Sequence, residues 1–220
     1  MRVVIADDSV LWREGLARLL TEVGVEVLAL VGNADDLERA VADDRPDVAL
    51  VDVRMPPTWT TEGTQAAARL RARWPTMGLL LLSQTLAVRE AERLAREQPH
   101  GFGYLLKDRV VDTDTLVDAL DSVAAGGTVL DPDLVTALLS RRASRERLHA
   151  LSARERTVLA LVAQGRSNAA IARDLVVTGK TVETHIANIL TKLGLGQEPD
   201  DHRRVLAVLA WLEDSVPRPP

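Results

Sequence analysis

The chain has 220 residues, 46% of them apolar but only six aromatic, with a net charge of −5 and no cysteine. That length suits one large or two ordinary domains around an aliphatic core, and the missing cysteine excludes disulfides and thiolate metal sites. His100, His149, His185 and His202 lack zinc spacing, no apolar run reaches membrane-span length and no signal-peptide pattern is present, so the expectation is a cytoplasmic protein without membrane contact.

The first 125 residues alternate short apolar runs with helical patterns. Strands are predicted at about 2–6, 25–31, 47–52, 78–83 and 102–106, and helices at about 10–22, 34–43, 63–73, 86–97 and 113–124. Ser9 and Asn33 are the predicted N-caps of the first two helices. Unbroken apolar runs such as Val48–Val51 and Leu79–Leu82 are those of strands buried on both faces. Five strand–helix units imply a doubly wound α/β fold with a five-stranded parallel sheet, closed by Gly126-Gly127. A short strand or turn and a helix near 131–140 should follow, then an arginine-rich linker to about 149.

No strand pattern is present beyond Leu151. Ser152 and Glu155 form a capping-box pattern opening a helix that Gly165 ends. Ser167 caps a second, short helix to Leu175, and a third runs to Leu193. Two helices joined by so short a turn make a helix-turn-helix in a small all-α domain. Asp200 or Asp201 caps a final amphipathic helix, and Pro217 to Pro220 form a frayed end. The predicted division is 1–127 for the α/β domain, 128–149 for a linker with a short helix, and 150–216 for the helical domain.

Charge follows that division. Residues 1–140 carry 14 basic and 23 acidic side chains, whereas 141–147 hold four arginines and one glutamate, and 148–196 hold six basic and three acidic residues. A polyanion would therefore meet the second half.

Asp7, Asp8, Asp52, Ser83 and Lys107 all fall where predicted strands end. An Asp pair at a strand–helix junction is by itself an ordinary turn and cap, and a lone lysine an ordinary surface residue. Their joint placement is different, because open α/β sheets bind ligands outside the carboxyl ends of their strands. Three gathered carboxylates call for a divalent cation, and an all-oxygen ligand set suits Mg2+. Such a crevice suits the receipt of a phosphoryl group.

Residues 1–125 resemble a response-regulator receiver domain, a flavodoxin-like fold, through VVIADDSVLWREGLARLL, DVALVDVRMPP, LLLLSQ and GFGYLLKD. The resemblance implies Asp52 as phosphoacceptor and Asp7, Asp8, Asp52 and the Arg54 carbonyl as Mg2+ ligands. It further implies Ser83 and Lys107 as phosphoryl contacts and Tyr104 as the aromatic switch. Ser83 replaces a common threonine, Gln84 a small residue and Pro57 a glycine, and the loop PTWTTEG is longer than typical.

Residues 150–195 resemble the NarL/LuxR-type helix-turn-helix, especially SNAAIARDL and KTVETHIANILTKL. Val182, Ile186, Ile189, Leu190 and Leu193 share one helical face, which leaves short polar groups opposite them for a major groove. By resemblance, Lys180 and Thr181 contact phosphate and Thr184 and Asn188 reach base edges; Glu183 either accepts from cytosine or faces solvent, and His185 is structural or a phosphate contact rather than a metal ligand. Val205, Val208, Leu209 and Leu212 are candidates for a dimer face. The combined reading is a response regulator transcription factor that assists its own phosphorylation without being a classical enzyme. Its partners would be a sensor histidine kinase, promoter DNA and a second copy on activation. A phosphorylation-independent regulator is the alternative, kept open by Gln84 and Pro57. A magnesium phosphatase is disfavoured, because Arg54 stands where its second acid would be needed.

Overall fold

The computed structural model describes residues 1–97, 100–196 and 202–215. It divides into two compact units, 1–138 and 139–220. The first contains β1 (Arg2–Ala6), α1 (Val10–Glu22), β2 (Glu26–Val31), α2 (Ala34–Asp44), β3 (Val48–Asp52), α3 (Glu62–Arg73), β4 (Gly78–Ser83), α4 (Val88–Glu97), β5 (Phe102–Leu106), α5 (Thr113–Ala124) and β6 (Thr128–Leu130). A 3-10 turn, Lys107–Val111, separates β5 from α5.

The parallel sheet runs in the order β2-β1-β3-β4-β5-β6. It therefore has six strands, where the sequence predicts five and a strand or turn. The sixth forms because Gly126 adopts φ +85° and turns the chain back, letting Phe102, Gly103 and Tyr104 pair with Thr128, Val129 and Leu130. Successive strand residues face opposite layers. Val3, Ile5, Val48, Leu50, Leu80 and Leu82 pack with Leu16 and Leu20 of α1 and Leu116 and Leu120 of α5. Val4, Ala6, Ala49, Val51, Leu79 and Leu81 pack with Leu37, Leu70 and Leu94 of α2, α3 and α4. Each such buried valine, leucine or isoleucine contributes about 1.5–3 kcal/mol of transfer free energy. Helices on both faces bring the carboxyl ends of β1, β3, β4 and β5 to one open edge, where the strand order reverses between β1 and β3.

Asn33 caps α2 by accepting the Asp36 N–H, as predicted. Ser9 makes no side-chain cap; its N–H instead donates to Asp7 Oδ1 at 2.9 Å. The helix anticipated near 131–140 runs unbroken as α6 (Pro132–His149). Proline suits its first turn, and neither glycine nor proline interrupts the remainder. Asp131, fully buried, accepts the N–H groups of Asp133 and Leu106 and so ties the start of α6 to the end of β5.

The second unit contains α7 (Ala153–Ala163), α8 (Asn168–Asp174), α9 (Gly179–Lys192) and α10 (Arg203–Ser215). The capping box of Ser152 and Glu155 is formed, and Ser167 and Thr178 cap α8 and α9. Leu148, Leu151, Val158, Leu159, Ile171, Val182, Ile189 and Ala207 form its core. The proposed caps Asp200 and Asp201 and the segment from Pro217 lie outside the described residues. Among the described residues no helix is long and apolar enough to cross a membrane.

Candidate metal centre and nucleic-acid interface

Asp52 is the last residue of β3, Ser83 the last of β4, Asp7 and Asp8 follow β1, and Lys107 follows β5. Parallel registry thus delivers five polar side chains to one crevice. The Lys107 ammonium bonds Asp7 Oδ2 at 2.6 Å and Asp52 Oδ2 at 2.7 Å, with all three residues buried. The second oxygens are also held, Asp7 Oδ1 by the Ser9 N–H and Asp52 Oδ1 by the Arg54 N–H at 3.1 Å. Asp8 is exposed and accepts the Trp59 indole N–H at 2.7 Å.

Burial pushes the Asp52 carboxyl above the ordinary aspartate value, against the hydrogen bond and charge of Lys107. Burial would lower Lys107, yet its bonds to Asp52 and Asp7 outweigh that and hold the ammonium above the ordinary lysine value. One oxygen from each of Asp7, Asp8 and Asp52 lies within 4.8 Å of the others. Three carboxylates against one ammonium leave negative charge in a confined space, and the all-oxygen set fits a hard divalent cation such as Mg2+.

Ser83 donates to the Thr85 carbonyl at 2.6 Å. Tyr104 is fully buried; its hydroxyl donates to that same carbonyl at 2.9 Å and accepts the Ala87 N–H at 2.8 Å. Burial raises the Tyr104 phenol. Ser83 and Tyr104 thus share one loop carbonyl, so movement of either affects the other. The Arg54 side chain donates to Thr85 Oγ1 at 3.0 Å.

Sequence reasoning missed several residues. Gly63, at the start of α3, has no room for a side chain: a Cβ there would stand 1.7 Å from the Asp52 carbonyl oxygen. Arg13 of α1 donates to the Asp7 carbonyl, and the Trp12 ring lies 4.9 Å from the Lys107 ammonium. Trp59 reaches Asp8 from the long loop after β3. A glycine immediately inside a helix was the one available signal for Gly63, whereas the contacts of Trp12 and Trp59 join residues far apart in the chain.

In the second unit, Lys180, Glu183, Thr184, Asn188 and Thr191 are exposed on α9, while Val182 and Ile189 are buried. Thr181 is half-buried and its N–H is held by Thr178 Oγ1 at 3.1 Å. His185 is half-buried too. On α10, Val208 packs onto the core, whereas Val205, Leu209 and Leu212 stand out at 54%, 50% and 47% exposure. The four therefore separate into one core residue and an exposed stripe along one helix face.

A family model for the response regulator receiver domain matches residues 3–121, and one for the bacterial regulatory proteins of the luxR family matches residues 149–210. The transcriptional regulatory protein LnrK of Bacillus subtilis (strain 168) is 32% identical over 209 residues, covering 89% of this chain and 91% of LnrK. The oxygen regulatory protein NreC of Staphylococcus aureus (strain JH9) is also 32% identical, over 91% of this chain and 94% of NreC. Among solved structures, the RcsB response regulator of Salmonella typhimurium has a TM-score of 0.61 at 22% identity, covering 97% of this chain and 98% of RcsB. A structure of two RcsB dimers bound to two parallel DNAs gives 0.60 at 22% identity, over 98% of this chain and 99% of RcsB. At that identity the likeness is one of fold.

Proposed function

Since the chain belongs to the response regulators of the NarL/LuxR type, and is a transcription factor with a receiver and a LuxR-family DNA-binding domain, we propose that phosphorylation of Asp52 controls its dimerisation and its binding to promoter DNA. The observation that carries this reading is the Lys107 ammonium bonded at once to Asp7 and Asp52 at the open edge of the sheet. Residues 1–127 serve as receiver and 150–216 as DNA-binding domain, with 128–149 between them.

Response regulators pair with sensor kinases, and the donor here is a phosphohistidine. An Asp52 oxygen attacks phosphorus, the P–N bond breaks as the P–O bond forms, and the imidazole departs with the electron pair. Asp7, Asp8, Asp52 and the Arg54 carbonyl would hold Mg2+, which supplies neutralisation of the charge on the transferring group. Lys107 stands beside the acceptor oxygen and exchanges part of its bond to Asp52 for the phosphoryl oxygens. Ser83 turns its hydroxyl from the Thr85 carbonyl toward the phosphoryl group, which frees that carbonyl and the Tyr104 hydroxyl to rearrange together. The acyl phosphate carries roughly −2 where the Asp52 carboxylate carried −1, and that extra charge with its new acceptor oxygens provides the bias.

On α9, Lys180 and Thr181 serve phosphate contacts, Thr184 and Asn188 base edges, and Glu183 and His185 their surroundings. One helix reads a short half-site, so a dimer through Val205, Leu209 and Leu212, with Val208 beneath them, supplies the specificity. RcsB bound to DNA as dimers is a precedent for such pairing in the same fold. The protein works in the cytoplasm, where kinase and promoter meet.

Intact-mass measurement after incubation with Mg2+ and acetyl phosphate tests the acceptor. A single phosphoryl adduct in wild type and none in Asp52→Asn is the expected result. An adduct of equal size in both would remove Asp52 from the role.

A further inference from the structure

Asp7 and Asp52 are each held through both carboxylate oxygens, by Lys107 and by a backbone N–H. Asp8 is the exposed member of the three and is gripped from the side, by the Trp59 indole at 2.7 Å across 51 positions of sequence. The loop carrying that indole is ordered by its own polar bonds. The Glu62 carboxylate accepts the Thr60 N–H at 2.9 Å, the Thr61 N–H at 3.1 Å and the Thr58 hydroxyl. The Thr58 and Thr60 hydroxyls meet at 2.7 Å, and the Trp59 N–H reaches the Met55 carbonyl at 3.1 Å. Trp59 itself sits at φ +54°, a left-handed conformation that bulky side chains seldom adopt, and its side chain is not packed into the core, being 54% exposed. Neither local backbone preference nor burial explains a tryptophan at this position. Its contact with Asp8 does.

We propose that Trp59 is a positioning residue for Asp8, fixing the most exposed carboxylate of the cluster in the orientation that a divalent cation needs. This rests on the reading of Asp7, Asp8 and Asp52 as the cation site. The sign of the effect follows from the chemistry of the donor. An ammonium neutralises the carboxylate it bonds and competes with a cation, whereas an indole N–H is uncharged and leaves the full negative charge on Asp8. A neutral donor to a ligating carboxylate orients it and removes the rotamer freedom that binding would otherwise have to quench; loss of such outer donors typically weakens metal affinity about 10–100-fold. Glu62 acts one step further out, by holding the loop in which Trp59 lies.

Calorimetric Mg2+ titration of the full chain tests this, with wild type, Trp59→Phe and Glu62→Gln compared. Phenylalanine keeps an aromatic ring at an exposed position and deletes the N–H. Trp59→Phe should bind Mg2+ about tenfold more weakly with an unchanged thermal midpoint, and Glu62→Gln should weaken binding by a smaller factor. In wild type the indole emission should change along the same Mg2+ titration curve, and most of that change should vanish in Trp59→Phe although Trp12, Trp74 and Trp211 remain. Equal or tighter binding by Trp59→Phe, with wild type still binding, overturns the positioning role and leaves the cation site standing. No Mg2+ binding by any of the three proteins overturns both.

Discussion

Asp52 and Gly63 define the chemistry at the smallest scale. The α3 backbone approaches the Asp52 carbonyl so closely that a Cβ at Gly63 would overlap it. Neither partner is a flexible side chain, so strand or helix must move. Gly63→Ala should therefore displace Asp52 and reduce phosphorylation by a small-molecule donor at least tenfold while the protein remains folded; intact mass against time and circular dichroism check the two halves of that statement. Asp52 itself carries a stability cost. Its folded-state pKa is raised, chiefly by burial, so the folded chain holds that proton more tightly than the unfolded chain does. The contribution is favourable below the ordinary aspartate value and is lost as pH rises through the raised one. At pH 7 with a chelator present, Asp52→Asn should be the more stable protein. Its advantage should shrink as pH falls into the carboxylate range, as read from urea melts.

Helix ends govern the second unit. Glu155 accepts the Ser152 N–H at 2.7 Å and bonds the Lys192 ammonium at 2.7 Å, so one buried carboxylate ties the start of α7 to the end of α9. The bond from Lys192 is the main cause holding the Glu155 carboxyl below the ordinary glutamate value. With a depressed folded-state pKa, this stabilisation is present above the ordinary value and is lost as pH falls through the folded one. Ser152→Ala should cost about 1 kcal/mol of unfolding free energy at pH 7. Between α8 and α9 the opposite situation holds. Val176 has φ +54° and is 90% exposed, a β-branched residue in the left-handed region with little packing to lose. Val176→Gly should stabilise the chain by about 0.5–1 kcal/mol, net of the entropy glycine adds to the unfolded state. Thermal melts of the three proteins side by side test both effects.

For the whole molecule, dimerisation and DNA binding should be separable by substitution. Val205, Leu209 and Leu212 are exposed while Val208 packs inward, so Leu209→Glu alters the stripe without opening the core. It should leave the melting temperature unchanged within a degree or two, weaken self-association of the phosphorylated protein in sedimentation experiments, and lower affinity for a two-half-site operator more than for a single half-site. Lys180→Ala should weaken binding to all sequences alike and reduce the slope of log K against log salt by about 1.

Periodicity and punctuation in the sequence determined the strand–helix alternation, the switch to all-helical structure beyond Leu151 and the capping box at Ser152. They also determined that Asp7, Asp8, Asp52, Ser83 and Lys107 would meet, because a parallel sheet collects residues that follow its strands at one edge. These are local or topological facts, and a linear pattern carries them. Tertiary structure alone decided the sixth strand, since pairing of Thr128–Leu130 with β5 depends on a partner 26 residues away. It likewise decided the bond by which Asp131 holds the end of β5. The approach of Gly63 to Asp52 and the reach of Trp59 to Asp8 are of the same kind. Each depends on a distance between chain segments, and such distances are set by how helices and sheet pack together rather than by the spacing of residues along the chain.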